Sequence, residues 1–217
     1  DFRYGRATPE KVEELREKYQ IRQDEFVFLF VGRMMWYKNV RLILDTLKIL
    51  RGRGVPFRAL MVGDGYDAPA IREYASQQGL AECVTFTGPV YDREYLRVFY
   101  SLADMFLFPS TNDTSGIVVK EAAACDCPTL LIRGSCAAEG AEHDVSGFLA
   151  EERAADCAAV MLDACQSREH LAQVGHNAGR DLYLSWDTAV ARAYKRYEEI
   201  LRQWPGPLPY NAKHRRL

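Results

Sequence analysis

The feature that most constrains the fold is an alternation of short apolar runs with longer amphipathic segments. The apolar runs, typical of strands buried on both faces, lie at 26–31, 57–62, 84–87, 105–108 and 129–132. Between them, apolar residues recur at helical spacing over 40–50, 68–78, 94–102 and 117–124. This order predicts an α/β fold, a Rossmann-like parallel sheet with helices on both faces.

The rest of the chain is predicted to be helical and then extended. Helical patterns cover 154–165, 169–182 and 187–204, and a short strand is expected just before them, after a polar turn around His143. Residues 205–217 contain three prolines and a basic end, which indicates an extended tail. We therefore expect a single α/β domain over residues 1–204. Since the chain does not begin with Met, we expect it to be part of a longer protein.

Composition narrows the functional class. The formal net charge of −2 argues against a general nucleic-acid binder, and no apolar run approaches the length of a membrane span. Six cysteines fall at 83, 125, 127, 136, 157 and 165. Several lie in apolar periodic runs, and the spacing of Cys125 and Cys127 matches no common zinc site, so we interpret them as structural thiols. Together these features predict a cytoplasmic protein with no metal site.

Ligands of parallel α/β sheets bind beyond the carboxyl ends of the strands, so the loop after the first strand is the first candidate. Gly32 ends that strand and allows a close approach of the backbone to a ligand. Arg33 and Lys38 follow in the same loop. A guanidinium fork and an ammonium at this edge of the sheet suit the oxygens of a phosphate.

The loop after the fourth strand is the second candidate. It is rich in residues that cap helices and contains Asp113 and Gly116 just before a predicted helix. The unpaired N–H groups of such a helix terminus favour an anion. Glu121 follows eight residues after Asp113. The alternative is that Asp113 only caps the helix and that Glu121 is an ordinary surface carboxylate.

A dinucleotide-binding motif must also be weighed. Gly63 to Ala68 fits the pattern G-x-G-x-x-A between a strand and a helix, which is typical of NAD sites. Asp64 would place a carboxylate beside the pyrophosphate, however, and the pattern follows the second strand rather than the first. The third strand also ends at Thr87 and Gly88 without an acid. We therefore do not favour an NAD enzyme, and no Gly-x-Ser-x-Gly elbow supports a hydrolase triad.

Taken together, these segments resemble the C-terminal, donor-binding domain of a family 4 retaining glycosyltransferase of the GT-B fold. The resemblance runs from about Phe26 to Glu152, with weaker support from Ser185 to Leu201. Its pieces are Val31-Gly-Arg33 with Lys38, Val62-Gly-Asp-Gly65, Val84-Thr-Phe-Thr-Gly88, Ala103-Asp104 with Phe108-Pro-Ser110, Asp113 with Glu121, and Ser146-Gly-Phe-Leu149.

The resemblance implies a role for each matching residue. Arg33 and Lys38 would bind the diphosphate of a nucleotide sugar, and Asp113 would face the sugar, so these three are the expected catalytic residues. Glu121 would hold the ribose hydroxyls, and backbone near Val90 would contact the base. The remaining donor-binding positions are Gly32, Ser115, Gly116, Ile117 and Val118. The family retains anomeric configuration and needs no divalent metal or other cofactor.

The resemblance also implies that the donor is a nucleotide-diphosphate sugar that carries a hexose, with UDP as the favoured nucleotide. It further implies an acceptor-binding domain that precedes this one. The fragment alone would bind nucleotide and turn over little. The final helix, around 187–201, would pack on the missing half, so we expect an exposed apolar stripe there. The full-length protein could contact a membrane through that half. The alternative is a nucleotide-binding module of similar fold without transferase activity, such as an epimerase-like half or a degenerate regulatory domain.

Several positions depart from the family pattern. Asp113 stands where Glu is usual, and Asn39 and Asp126 stand where glycine is common. The glycine-rich loop after the fifth strand is replaced by residues 134–140, in which Glu139 occupies the acidic position. These departures leave the identity of the donor open.

Overall fold

In the computed structural model of the protein, residues 4–114, 116–204 and 206 are described. The strands are β1 (Phe26–Val31), β2 (Phe57–Val62), β3 (Val84–Gly88), β4 (Met105–Phe108), β5 (Thr129–Ile132) and β6 (Phe148–Ala150). The helices are α1 (Pro9–Lys18), α2 (Val40–Gly52), α3 (Ala68–Gln77), α4 (Arg93–Leu102), α5 (Ile117–Ala124), α6 (Ala154–Ala164), α7 (Arg168–Asp181) and α8 (Trp186–Gln203). Short 3₁₀ turns cover Trp36–Lys38 and Cys136–Ala138.

The six strands form one parallel sheet in the order β3-β2-β1-β4-β5-β6. The chain first adds strands on one side of β1 and then crosses to the other side with β4. The carboxyl ends of β1 and β4 therefore flank the topological switch point, where loops diverge and leave a crevice for a ligand. The predicted fold class is confirmed.

The strand side chains alternate between two apolar cores because the pleat has a period of two. Phe28 and Phe30 of β1 pack with α2, α3, α6 and α7 on one face. Val27, Leu29 and Val31 pack with α1, α4 and α5 on the other. Burial on both faces explains why the strands are apolar throughout rather than alternating with polar residues.

The predicted strands and helices are all present, with ends that differ by one or two residues. Helix α1 was not predicted, and it is mostly polar, with Leu15 as its one buried residue. Leu15 packs into the same core as Phe99 of α4. Tertiary packing therefore holds this helix, and its own periodicity is too weak to reveal it.

The described part of the chain divides into two compact units near residue 184. Among the described residues, those up to Tyr183 form one compact unit, and those from Leu184 onward, including α8, belong to a second. Helix α8 exposes a row of large apolar side chains, namely Trp186, Val190, Tyr194, Tyr197, Leu201 and Trp204. The predicted apolar stripe on the last helix is confirmed. The predicted tail at 205–217 lies outside the described residues, apart from Gly206.

No helix among the described residues is both long enough and apolar enough to cross a membrane.

Candidate functional site

A cavity of about 220 Å³ opens at the switch point, between the loops that follow β1 and β4. Its lining includes most of the residues that the sequence indicated: Gly32, Lys38, Asp113, Gly116, Ile117 and Val118. Phe30, Val31, Phe108 and Thr114 complete the wall. Arg33, Val90 and Glu121 are not part of this lining, and Ser115 lies outside the described residues. The structure thus brings one cation, one carboxylate and a helix N-terminus to a single cavity.

The loop that carries Lys38 is held by backbone and side-chain hydrogen bonds from the next loop. Met34 N donates to Asp64 O at 3.0 Å, and Asp67 N donates to Met34 O at 3.2 Å. The carboxylate of Asp67 accepts from Trp36 N at 3.0 Å, at the start of the 3₁₀ turn that ends with Lys38. The loop after β2 therefore acts as a support for the loop after β1.

Gly63 and Gly65 make that support possible. A Cβ on Gly63 would lie 1.9 Å from Gly32 O, and one on Gly65 would lie 2.5 Å from Met34 O. Gly63 also has a φ of +134°, which L-residues with side chains rarely adopt. The close approach of two loops accounts for both glycines of the NAD-like pattern, and no dinucleotide is needed to explain them.

Lys38 and Asp113 form an ion pair across the cavity, from Nζ to Oδ1. Burial raises the pKa of Asp113, but the hydrogen bond and charge of Lys38 and the charge of Arg33 lower it, and the net pKa is below the ordinary value. Asp113 is therefore a carboxylate at neutral pH. Its second oxygen, Oδ2, and Ser110 Oγ are buried without a hydrogen-bond partner within the described ranges.

The N-terminus of α5 faces the cavity through Gly116, Ile117 and Val118. Gly116 adopts the left-handed conformation with φ 52° and ψ 54° and supplies no side-chain cap. A Cβ at this position would lie 3.1 Å from the Cβ of Ala137 in the second 3₁₀ turn. Gly116 thus permits the close approach of Ala137 and leaves the first N–H groups of the helix without a side-chain cap, which suits an anion.

Glu121 lies on the following turns of α5 and is only 9% exposed, so its interpretation as a surface carboxylate is wrong. The Tyr100 hydroxyl donates to its Oε2 at 3.3 Å, and Arg93 Nη1 lies 3.8 Å from its Oε1. Burial raises the pKa of Glu121, while Tyr100 and Arg93 lower it less. Neither Arg93 nor Tyr100 could be found from the sequence, because only the packing of α4 against α5 brings them to Glu121.

Asn39 and Asp126, which replace common glycines, both have positive φ, at 57° and 54°. Asparagine and aspartate tolerate this conformation better than other residues with side chains. Asn39 also donates from Nδ2 to Pro109 O at 2.9 Å and to Glu152 Oε1 at 2.6 Å. It therefore ties the loop after β1 to the loop after β4, a role that a glycine could not fill.

The other predictions from the sequence concern Val90, the cysteines and a metal site. Val90 is half-buried and packs in the same apolar core as Val31 and Val118. All six cysteines are free thiols. No group of three His, Cys, Asp or Glu side chains that could hold a metal is found among the residues that the structure describes.

Comparison with known proteins gives three results. The sequence profile described as "Glycosyl transferases group 1" matches residues 11–181. Alpha-monoglucosyldiacylglycerol synthase of Acholeplasma laidlawii is 29% identical over 124 residues, 57% of this chain and 31% of that protein. A GDP-mannose-dependent alpha-(1-6)-phosphatidylinositol monomannoside mannosyltransferase of Mycobacterium tuberculosis is 28% identical over 198 residues, 86% of this chain and 51% of that protein.

A solved structure shares the fold. The Anabaena protein HepE, in complex with UDP and glucose, superposes with a TM-score of 0.74 at 22% identity, over 92% of this chain and 53% of that one. The chain spans about a third to a half of the length of the two relatives. The sheet is of the Rossmann-like type found in GT-B glycosyltransferases. Because the family profile covers most of its length, this chain belongs to the group 1 glycosyl transferases.

Proposed function

We propose that this chain is the donor-binding half of a retaining hexosyltransferase of family 4, and that it binds a nucleotide-diphosphate sugar without a metal. The observation that supports this most strongly is the cavity at the switch point, where Lys38, Asp113 and the N-terminus of α5 meet. Two of these three groups favour an anion, and the third is a carboxylate suited to a sugar.

The diphosphate is the leaving group, so negative charge grows on it as the bond to the sugar breaks. Lys38 and the N–H groups at Gly116 to Val118 are held in place before that charge develops. Arg33 is an exposed residue of the same loop as Lys38 and adds a second cation. Prepositioned donors of this kind stabilise a transition state without reorganising, which is the contribution we assign to these residues.

Asp113 would face the sugar. Its pKa is held below the ordinary value, so the group is ionised when the anomeric carbon becomes positive. Its Oδ2 is buried and lacks a hydrogen-bond partner among the described residues, which leaves one acceptor available for a sugar hydroxyl. Although Asp is one methylene shorter than the usual Glu, the pair with Lys38 shows that it reaches the cavity.

The nucleoside would lie beside Glu121, whose carboxylate accepts ribose hydroxyls, with the base against the backbone near Val90. We favour UDP among the nucleotides. The HepE structure contains UDP and glucose, whereas the name of the mycobacterial relative specifies GDP-mannose, so relatives differ in the base. The acceptor is bound by a preceding half, on which the apolar row of α8 would pack, and any membrane contact of this cytoplasmic protein would come through that half.

The test compares the binding affinity for UDP with that for a UDP-hexose, in the wild-type chain and in Asp113→Asn. We expect Asp113→Asn to bind UDP at least as well as the wild type and to lose the additional affinity for the sugar. In a protein that carries both halves, the same change should abolish transfer. The alternative function, a nucleotide-binding module without transfer, predicts that Asp113→Asn affects neither sugar affinity nor activity.

A further inference from the structure

Arg93 occupies a position beside Glu121 that the proposed function does not use. Its Nη1 lies 3.8 Å from Glu121 Oε1, and its side chain is 59% exposed, whereas that of Glu121 is 11% exposed. The other carboxylate oxygen accepts the hydroxyl of the buried Tyr100 at 3.3 Å. One oxygen of Glu121 is thus fixed from inside the core, and the other lies near an exposed arginine.

The guanidinium of Arg93 keeps its donors available. A distance of 3.8 Å is too long for a hydrogen bond, and Arg93 makes no hydrogen bond with any residue in the described ranges. An arginine carries five N–H donors in a planar fork. A fork that is held near a carboxylate but is not hydrogen-bonded to it can bind a planar group with acceptor oxygens.

The backbone position of Arg93 is fixed, although its side chain is exposed. Asp92 caps α4, since its Oδ1 accepts from Glu94 N at 2.8 Å and from Tyr95 N at 3.2 Å. Arg93 is the first residue of that capped helix. A cation in the first turn opposes the helix dipole, so the stability of α4 does not account for an arginine here.

We propose that Arg93 selects the nucleobase by donating to the carbonyl oxygens of uracil or guanine, while Glu121 takes the ribose. This inference rests on the proposed function. Arg93 lies three residues after Val90, near which the base is expected, and beside the carboxylate expected to hold the ribose. Uracil and guanine present carbonyl acceptors to such a fork, whereas the corresponding edge of adenine carries an amino donor.

Calorimetric titration of the chain with UDP, GDP and ADP tests this, using Arg93→Ala and Arg93→Lys. We expect the affinity for the tighter of UDP and GDP to fall about 10-fold or more in both variants, since an ammonium cannot replace the fork. Affinity for ADP should change little. The matched control is Arg51→Ala, another exposed arginine beside a glutamate, Glu82 at 3.4 Å, on the surface of α2.

The outcomes separate the two proposals. An equal loss of affinity for all three nucleotides would mean that Arg93 contacts the phosphates. Full affinity in Arg93→Lys would mean that Arg93 acts only through its positive charge beside Glu121. Either result would overturn base selection. So would an unchanged affinity in Arg93→Ala, or tightest binding of ADP by the wild type. If the wild-type chain binds none of the three, the proposed function itself fails.

Discussion

Lys38 and Asp113 are 75 residues apart in sequence and form an ion pair that joins the loop after β1 to the loop after β4. Their side chains are only 14% and 23% exposed, so solvent screens this pair less than a surface pair. The pair places a positive and a negative group side by side in the wall of the switch-point crevice. This arrangement is compatible with the proposed donor, because an ammonium can bind a diphosphate and a carboxylate can accept from a sugar hydroxyl.

Glu121→Gln should stabilise the chain near neutral pH and weaken nucleotide binding. Burial raises the pKa of Glu121, so its ionised form is less favourable in the folded than in the unfolded chain, and stability falls as the pH rises from about 4.5 through the folded pKa. We expect Tm at pH 7 to rise by about 2–4 °C, the shift that ~1 kcal/mol gives a domain of this size.

Thermal melts of the wild type and of Glu121→Gln between pH 4 and pH 7 check this prediction. The difference in Tm should become smaller toward pH 4. A variant that melts below the wild type at pH 7 would contradict the view that the charge of Glu121 is kept for binding at a cost in stability.

Gly63→Ala should destabilise the chain by about 3 kcal/mol or more, because its Cβ would meet Gly32 O and its φ is positive. The matched control is Gly52→Ala at the last residue of α2, where nothing lies within 4 Å of the added Cβ, so the free energy of unfolding should stay the same or rise slightly. Urea unfolding measures the free energy of unfolding of both variants. Equal stability of Gly63→Ala and the wild type would show that the two loops do not need their close approach.

Cys136 should be the one thiol that reacts quickly in the folded chain. It is exposed, whereas burial raises the pKa of Cys125 and Cys165 to about 12 and that of Cys157 to about 11. Burial raises the pKa of Cys127 still further, and it also raises that of Cys83, which is only partly buried. Alkylation at pH 8 followed by mass spectrometry should give one modified residue within minutes, and Cys136→Ser should give none. Rapid labelling of any buried cysteine would indicate local opening of the core.

The sheet could be predicted from the sequence because its strands are buried on both faces and read as uninterrupted apolar runs, as in Phe26–Val31. Helix α1 could not, since Leu15 is its only buried residue and the core that it joins is made mostly by other segments. The two 3₁₀ turns were missed for a similar reason: three residues carry no periodicity. Local patterns thus predicted the elements with a clear hydrophobic periodicity, including the exposed helix α8, and missed those without one.

The candidate site was predicted unevenly. The positions of Lys38, Asp113 and Gly116 followed from the rule that ligands lie beyond strand carboxyl ends. The burial of Glu121 and its contacts with Arg93 and Tyr100 did not follow, because they arise from helix packing between segments far apart in sequence. Asn39 looked like a departure from a glycine pattern, and only its φ of 57° and its bond to Pro109 O show why it fits.

Calorimetric titration of the wild type and of Lys38→Ala with UDP and with NAD, in the absence of metal, tests most directly whether the cavity at Lys38 binds a nucleotide diphosphate. We expect that UDP binds, that NAD does not, and that Lys38→Ala weakens UDP binding by about 10- to 150-fold, the range expected for a charged hydrogen bond. Lys48→Ala, an exposed lysine of α2 that bonds to Gln78, should leave affinity unchanged. Equal binding of UDP by Lys38→Ala and the wild type, or binding of NAD instead of UDP, would contradict this expectation.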